Sequence, residues 1–271
     1  QYQTGKVLGR GSFSVVKEAA HLETGEHFAC KVISKKLLEG REDLVRTEIN
    51  ILSKISSGHP NVVTLHDYFE TSNNVYLCFD LCTGGHLIER IRTKGKFTES
   101  ETAKLVRTIC EAVKYIHDRG IIHRDLKPEN LLFSSTADDA EIMIADFGLS
   151  RMIEEDTMHA INQVCGTPGY IAPEVYKCRG HGRSVDIWSL GIITYFLLSG
   201  YIPINRASSP QELNAHKSGS YSFEPEKYWT NVSPAGKDFI KQCLIADPSK
   251  RRTASELLHH PWFVDESPHY V

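Results

Sequence analysis

The stretch IIHRDLKPENLLF, from Ile121 to Phe133, crowds ionisable side chains between two apolar pairs. Its centre carries a carboxylate at Asp125, an ammonium at Lys127 and an amide at Asn130. Burying unpaired charge is costly, so chains rarely hold such groups between hydrophobic anchors without a use for them. The stretch therefore indicates a polar site that performs chemistry.

The composition excludes several classes of protein. The chain has 271 residues, of which 41% are hydrophobic and 24% charged, as is typical of soluble globular proteins. A net charge of −3 argues against bulk electrostatic binding to nucleic acid. No apolar run reaches the roughly 18 residues that a membrane span needs. We therefore expect neither nucleic acid nor a membrane among the partners.

Cysteine and histidine usage bears on the compartment and on metals. The seven cysteines are odd in number, irregularly spaced and without a CxxC pair. This pattern predicts reduced thiols and a cytoplasmic location, extending to the nucleus. The thirteen histidines show no metal-ligand spacing such as HExxH. A histidine-bound metal site is therefore not expected.

The first 80 residues predict strands with one helix. Residues 41–55 form the helix, because their apolar side chains recur at helical spacing. The strand-like segments are two within residues 5–20 and one each at 27–34, 61–69 and 74–81.

The pattern changes to helices after residue 82. Residues 99–120 are amphipathic, and residues 183–200 are apolar nearly all round, as in a central helix. We predict an α+β fold of two lobes. Residues 1–82 form a small antiparallel β-sheet lobe with one helix, and residues 83–271 form a larger, mainly helical lobe. The cleft between the lobes is the expected ligand site.

Two features of the first lobe suit a polyphosphate. Gly9 and Gly11 lie on a predicted turn, where backbone N–H groups can approach phosphates without Cβ obstruction, although a plain hairpin turn reads the same way. Lys31 interrupts an apolar strand and needs an anion. Glu48 is the expected partner, either in a structural ion pair or beside a bound phosphate.

A carboxylate ends a second apolar strand in EIMIADFGLS. Asp146 is followed there by Phe147 and Gly148. Such a carboxylate suits Mg²⁺, which takes one or two carboxylates together with substrate phosphates. Taken alone, the segment is equally compatible with a solvated turn.

Together these segments resemble the protein kinase signature set. The resemblance covers nearly the whole chain and implies the bilobal protein kinase fold. The matching motifs, in order, are Gly9-x-Gly11, FACK around Lys31, Glu48, HRDLKPEN, DFG, Ala172-Pro173-Glu174, DIWSLG, DPSKRRT and HPWF.

The resemblance implies ATP with Mg²⁺ and assigns roles to residues. Asp125 accepts the proton of the substrate hydroxyl, and Lys127 neutralises charge on the moving phosphoryl group. Lys31, paired with Glu48, contacts the α- and β-phosphates. Asn130 and Asp146 hold magnesium. The implied nucleotide-binding residues are Leu8, Gly9, Arg10, Gly11, Ser12, Phe13, Ser14, Val15, Val16, Ala29, Lys31, Asp80, Cys82, Glu129, Asn130, Leu132 and Asp146.

The residues within these motifs imply a class of protein kinase. Lys127 marks the serine/threonine kinases, which phosphorylate protein substrates. The segments GRGSFSVV, GGHLIERI and CGTPGYIAPE resemble the calcium/calmodulin-dependent kinase group of signalling enzymes, in particular its fungal-like members. In that group calmodulin acts through a C-terminal segment, which is expected outside this chain. Members also carry an Arg-binding glutamate where this chain has His86.

Regulation by phosphorylation is expected to differ from that of switched relatives. Relatives that are activated on this segment carry a threonine four residues before Thr167, and this chain has Gln163 there. We therefore expect basal activity without an upstream kinase acting at that site. Thr157 is the only other threonine between Asp146 and Thr167.

Two other functions compete with an active protein kinase. A catalytically dead pseudokinase scaffold would be marked by loss of one of four residues, and Lys31, Asp125, Asn130 and Asp146 are all present. A kinase of small molecules shares the phosphate-binding parts. The segments GTPGYIAPE and DIWSLG, however, indicate a platform for protein substrates.

Overall fold

The computed structural model describes residues 1–11, 14–38, 40–152, 165–177, 181–204 and 210–264. Its contacts divide the chain into two compact units. The first comprises Gln1–Gly85 and Leu132–Gly148, and the second comprises His86–Leu131 and Leu149–Val271. The first unit thus includes residues 132–148, which the sequence prediction places in the second lobe. The lobe boundary at residue 82 stays a prediction.

A five-stranded antiparallel sheet, of strand order β1-β2-β3-β5-β4, forms the body of the first unit. The strand predicted over residues 61–69 begins only at Leu65, because Val62 pairs instead with Ile144 in an isolated bridge. The other predicted strands are confirmed. The five strands are β1 Tyr2–Arg10, β2 Ser14–His21, β3 His27–Ser34, β4 Leu65–Glu70 and β5 Asn74–Asp80.

The helix α1, Glu42–Ile55, lies where the sequence predicts it. Its Val45 joins a buried cluster with Ile33 of β3 and Leu77 of β5, so one face of the helix packs on the sheet. Glu48 lies one turn after Val45 and is 95% buried by the same packing. The helix therefore directs a carboxylate towards β3.

Two short strands complete the first unit, β7 Leu131–Phe133 and β8 Ile142–Ile144, which pair with each other. Backbone hydrogen bonds join β8 to the segment before β4, from Val63 N to Ile144 O at 3.1 Å. Gly84 N donates to Phe133 O at 3.0 Å. A Cβ at Gly84 would lie 2.0 Å from the Ser135 carbonyl oxygen, so the close approach requires glycine. These bonds fix the strand that leads to Asp146.

The second unit is mainly helical. The helix α3 begins with a capping box, in which Thr98 and Glu101 exchange side-chain and backbone hydrogen bonds. Two strands, β6 Ile121–Ile122 and β9 Arg151–Met152, pair antiparallel. The helices are α2 Leu87–Lys94, α3 Glu99–Asp118, α4 Pro173–Tyr176, α5 Ser184–Ser199, α6 Pro210–Ser218, α7 Pro234–Cys243 and α8 Ala254–Leu257.

The helix α5 is the centre of this unit, as its apolar sequence predicts. Nearly all its side chains are buried, including Trp188 and Tyr195. A Cβ at Gly191 would lie 2.6 Å from the Cys243 Cβ, so this glycine permits close packing of α5 on α7. None of the helices in the described part of the chain combines the length and apolarity that crossing a bilayer requires.

Candidate functional site

Lys31 forms the predicted ion pair with Glu48 in the first unit. Its Nζ donates to Glu48 Oε1 at 2.7 Å and lies 3.6 Å from Asp146 Oδ1. Burial disfavours the ammonium, but the two carboxylates outweigh this effect and raise the pKa of Lys31. The strand β3, the helix α1 and the segment after β8 thus bring one cation and two carboxylates together.

Asp146 has a strained backbone and an exposed carboxylate. Its φ is 60°, in the left-handed region that non-glycine residues rarely adopt, and 53% of its side chain is exposed. A Cβ at Gly148 would lie 3.2 Å from Asp146 Oδ1 and 3.7 Å from Lys31 Nζ. Strain of this kind persists only where the surroundings over-determine it, and it concentrates at functional sites.

The glycine loop lies at the β1–β2 hairpin. Gly11 N donates to Ser14 O at 2.8 Å, and nothing lies within 4 Å of a Cβ built on Gly9. Ser12 and Phe13, two of the predicted nucleotide-binding residues, lie outside the described residues. The first unit also contains Leu8, Gly9 and Arg10 on β1, Ser14, Val15 and Val16 on β2, Ala29 on β3, Asp80 at the end of β5, Cys82 and Leu132.

The carboxylate of Asp80 anchors the end of β5. It accepts hydrogen bonds from the Thr64 backbone N–H and from His66 Nε2, both at 2.6 Å. Burial, together with the nearby charge of Asp80, raises the pKa of the Cys82 thiol to about 11. The sequence predicts Asp80 as a nucleotide-binding residue but does not predict its contact with His66, which the alternation of β4 places on an exposed face.

The second unit gathers the centre of the opening stretch into one cluster. Asp125 Oδ2 accepts from Lys127 Nζ at 2.8 Å, and Asp125 Oδ1 accepts from Thr167 Oγ1 at 2.7 Å. Lys127 Nζ also donates to Thr167 Oγ1 at 2.7 Å. Asp125 is only 8% exposed, so these donors satisfy a nearly buried carboxylate. A hydroxyl group thus already bridges the carboxylate and the ammonium.

Asn130 completes this cluster, and its amide oxygen is a possible ligand for a cation. Its Nδ2 donates to the Asp125 backbone oxygen at 2.8 Å and to the Asp125 carboxylate at 3.2 Å. The amide oxygen of Asn130 takes no part in these two bonds. An amide oxygen here and the exposed carboxylate of Asp146 in the first unit are hard oxygen donors of the kind that Mg²⁺ takes. Glu129, the neighbouring predicted residue, is exposed.

Asp186 on α5 holds the backbone near the start of the stretch Ile121–Phe133. It accepts from the backbone N–H groups of His123 at 2.9 Å and Arg124 at 2.8 Å, and its Oδ2 lies 2.8 Å from His117 Nε2. Burial opposes the charge, but the bond from His117 and the neighbouring imidazole and backbone groups lower the pKa of Asp186. The strained Arg124, whose φ is 69°, is held by these bonds.

Thr167 and His117 are members of this network that sequence reasoning did not predict as contacts. Thr167 was visible only as part of a Gly-Thr-Pro motif, 42 residues after Asp125. His117 lies at the end of α3 and has the same spacing as the apolar positions of that helix. The position of His117 on the buried face of α3 is the signal from which a buried partner could have been predicted.

Glu174 and Arg251 form a bidentate ion pair in the second unit. Arg251 Nη1 donates to Glu174 Oε1 at 2.7 Å, and Arg251 Nη2 donates to Glu174 Oε2 at 3.0 Å. Both residues are buried. This pair ties α4 to the loop before α8.

Comparisons with known proteins agree with the motif set. The family described as the protein kinase domain matches residues 2–263. A calcium/calmodulin-dependent protein kinase of Emericella nidulans, cmkB, is 54% identical over 97% of this chain. The type I calcium/calmodulin-dependent protein kinase of Schizosaccharomyces pombe is 48% identical over 99% of it, and human type 1B is 43% identical over 96%. The chain spans 65%, 80% and 74% of these three relatives, respectively.

Proposed function

The chain belongs to the protein kinase family as a serine/threonine protein kinase domain, and we propose that it transfers the γ-phosphate of ATP to serine or threonine hydroxyls of protein substrates. The observation that carries the proposal is the Asp125–Lys127–Thr167 cluster, in which one hydroxyl meets a carboxylate and an ammonium at 2.7 Å. The hydroxyl of a substrate residue has the same chemistry as that of Thr167.

Asp125, Lys127 and Asp186 have distinct roles in the proposed reaction. Asp125 accepts the hydroxyl proton as the substrate oxygen forms its bond to phosphorus. Lys127 is held beside Asp125 and offsets negative charge on the transferred phosphoryl group. Asp186 fixes the backbone that carries Asp125, so the carboxylate keeps its orientation.

The phosphates of the nucleotide are bound in this proposal by residues of the first unit. Lys31, kept charged by Glu48, binds the α- and β-phosphates, and the β1–β2 hairpin covers them with backbone N–H groups. Asn130 and Asp146 would hold the magnesium that protein kinases use with ATP, since their oxygens suit this ion. Bound magnesium supplies charge neutralisation for the phosphates. The adenine lies in this proposal among Leu8, Val16, Ala29 and Leu132 of the first unit.

Calcium/calmodulin regulation is a further part of the proposal. The names of the fungal and animal relatives support it. The regulatory segment would lie outside this chain, which matches only part of each relative. We place the enzyme in the cytoplasm and the nucleus, and the free cysteines of the described residues support a reducing compartment.

An active kinase explains the chain better than a pseudokinase scaffold. The four residues on which transfer depends are present, and Lys31, Asp125 and Asn130 make the contacts that activity requires. A scaffold would need none of these contacts. A labelled γ-phosphate transfer assay on a peptide panel, with and without calcium/calmodulin on the full-length protein, tests both activity and regulation.

Two substitutions test the proposed division of roles. Asp125→Asn should lower kcat by about 10²–10⁴ while nucleotide binding survives, because Asp125 acts on the hydroxyl. Asp146→Asn should instead weaken binding of magnesium-ATP. Nucleotide titration by fluorescence or calorimetry separates the two effects. Equal loss of ATP affinity in both variants would contradict the assignment.

A further inference from the structure

Two cysteines of the first unit lie opposite each other in its sheet. Cys30 on β3 and Cys78 on β5 are direct register partners in the antiparallel pair. Both are free thiols, with 1% and 0% of their surfaces exposed. The phosphotransfer reaction uses neither of them. Their arrangement therefore needs an explanation of its own.

The strand pairing sets the two thiols at a distance suited to a covalent bond. Directly opposed residues on antiparallel strands have Cα atoms about 4.5–5.5 Å apart. Disulfides join residues whose Cα atoms are about 4.4–6.8 Å apart. The two side chains also point to the same face and pack together with Ala19 in one buried cluster. A disulfide can thus close here without rearranging the sheet.

We propose that Cys30 and Cys78 form a modification site, a dithiol that hydrogen peroxide oxidises to a cross-strand disulfide. The Cys30 thiolate attacks one peroxide oxygen and the O–O bond breaks, which gives a sulfenic acid and a hydroxide that takes the thiol proton. The Cys78 sulfur then attacks the Cys30 sulfur. The S–O bond breaks, and the departing hydroxyl takes the Cys78 proton as a second water. Two thiols lose two electrons, and the peroxide gains them.

The environment makes Cys30 the attacking thiol. The hydrogen bond from the Cys78 side chain lowers the pKa of Cys30 against the effect of burial, and the charge of Lys17 lowers it further. Lys17 is the register partner of Cys30 on β2. The same hydrogen bond, together with burial, raises the pKa of Cys78. The nearby Lys17 ammonium thus favours Cys30 as the thiolate that attacks first.

Aromatic rings cover the pair and control access to it. Tyr2 packs against the cysteine cluster, and its ring stacks on Phe69 at 5.7 Å, which in turn stacks on Tyr76 at 4.8 Å. Burial, the neighbouring thiols and the Asp67 carboxylate, to which the Tyr2 hydroxyl donates at 3.2 Å, raise the pKa of Tyr2 to about 12. Since Tyr2 lies on the edge strand β1, its removal uncovers the sulfurs without breaking a central strand.

The crosslink would stabilise the sheet and leave the ion pair beside it in place. Adjacent strand residues point to opposite faces, so Lys31 contacts Glu48 on the helix side while Cys30 lies on the other. A disulfide that closes the long loop between β3 and β5 restricts the unfolded chain. The inference does not depend on the proposed function.

The test treats the purified protein with hydrogen peroxide and maps its peptides by mass spectrometry. We expect a Cys30–Cys78 crosslinked peptide, lighter by two hydrogens or about 2 Da, that dithiothreitol reverses. The Tm should rise by about 5 °C or more on oxidation. Both changes should vanish in Cys78→Ala and persist in the matched control Cys82→Ala. Tyr2→Ala should speed crosslinking several-fold.

Several results would overturn the proposal. One is peroxide oxidation of Cys82 or Cys165 to completion without any Cys30–Cys78 crosslink. Another is a Tm rise that is the same in Cys78→Ala as in the unmodified sequence. Peptide mapping of the wild-type protein needs no variant, so the test remains decisive even if Cys78→Ala does not fold.

Discussion

Two buried ion pairs of this chain differ in how completely their donors are used. In the second unit, Arg251 makes two hydrogen bonds to Glu174 and two more to backbone carbonyls, at 2.7 to 3.0 Å, and its side chain is 0% exposed. In the first unit, Lys31 makes one short contact, to Glu48, and keeps 18% of its side chain exposed.

The difference separates a structural pair from a functional one. The Arg251 guanidinium uses four of its five N–H donors within the protein, and its side chain is fully buried, so it is closed to a ligand. The Lys31 ammonium has three donors, and its second carboxylate lies at a looser 3.6 Å. A saturated pair holds the fold together, whereas an unsaturated pair with an open side can bind an anion. Four predictions test this contrast.

The largest expected effect is on the stability of the saturated pair. Arg251→Met leaves the buried Glu174 carboxylate unpaired, which should lower the free energy of unfolding by about 3–5 kcal/mol. The corresponding loss in Tm is about 6–20 °C for a domain of this size. Thermal and urea unfolding measure the change.

Arg252→Met is the matched control for this prediction. Arg252 pairs with Glu256 at 3.2 Å on the surface, where 53% of the arginine side chain is exposed. Its loss should cost less than about 1 kcal/mol. Similar losses in the two variants would show that saturation of the buried pair does not matter.

Lys31→Met should reduce activity strongly and stability only weakly. We expect kcat/KM for ATP to fall by about 10²–10³, the usual effect of removing one charge-stabilising donor. The loss of stability should be smaller than for Arg251→Met, because solvent reaches this site. Steady-state kinetics and melting curves on the same preparation separate the two effects. Lys35→Met is the control, since Lys35 pairs with the exposed Glu70 at 2.8 Å. A Lys31→Met protein that melts early but retains its kcat/KM would reverse the assignment.

The sequence predicts these clusters unequally well, for a physical reason. Lys31 interrupts an apolar strand, and Glu48 lies beside the apolar face of a helix, so local patterns alone predict their pairing. The same patterns predict β3 and α1 within one residue of their observed bounds. A strong hydrophobic periodicity shows which side of a strand or helix is buried, so the positions of these elements can be predicted from it.

Contacts between distant segments could not be predicted in the same way. The sequence around Thr167 does not predict its bond to Asp125, because the two residues are 42 positions apart and meet only through tertiary structure. Residues 61–64 have strand-like composition, yet Val62 pairs with Ile144 in an isolated bridge. Their partner is fixed by tertiary structure, which propensity does not contain.

A surface pair gives the third and smaller effect. His86 precedes α2, and its Nε2 lies 3.5 Å from Glu89 Oε1, with 33% of the His86 side chain exposed. The resemblance implies a glutamate at this position that binds an arginine three residues before the phosphoacceptor. A neutral imidazole binds guanidinium weakly. We therefore expect weakened selectivity for that arginine, with Glu129 preserving part of it.

The test compares kcat/KM for two peptides that differ only in this residue, Arg against Ala. His86→Glu should raise the Arg-to-Ala ratio by about tenfold, the size of one charged hydrogen bond. A wild-type ratio already on the order of 10², unchanged in the variant, would refute the idea and point to another carboxylate, such as Glu89.

The last and smallest effect concerns Arg124, which is buried like Arg251 but open like Lys31. Its Nε donates to Leu149 O at 2.6 Å, while Nη1 and Nη2 have no hydrogen-bond partner among the described residues. Burial lowers the pKa of Arg124. In switched relatives this arginine would bind a phosphothreonine, but Gln163 occupies the position implied for it. Gln163 and Thr157 both lie outside the described residues.

Because Gln163 cannot be phosphorylated, phosphatase treatment of the purified domain should leave kcat within about twofold, which is less than about 0.5 kcal/mol of barrier. Thr157→Ala should likewise change little. Intact-mass spectrometry before and after treatment verifies that phosphate was removed. If activity disappears together with a phosphate on Thr157, then Arg124 depends on that phosphate for its charge partner. Arg124 would then resemble Arg251, whose charge is paired for structure, and not Lys31, whose charge is open to a ligand.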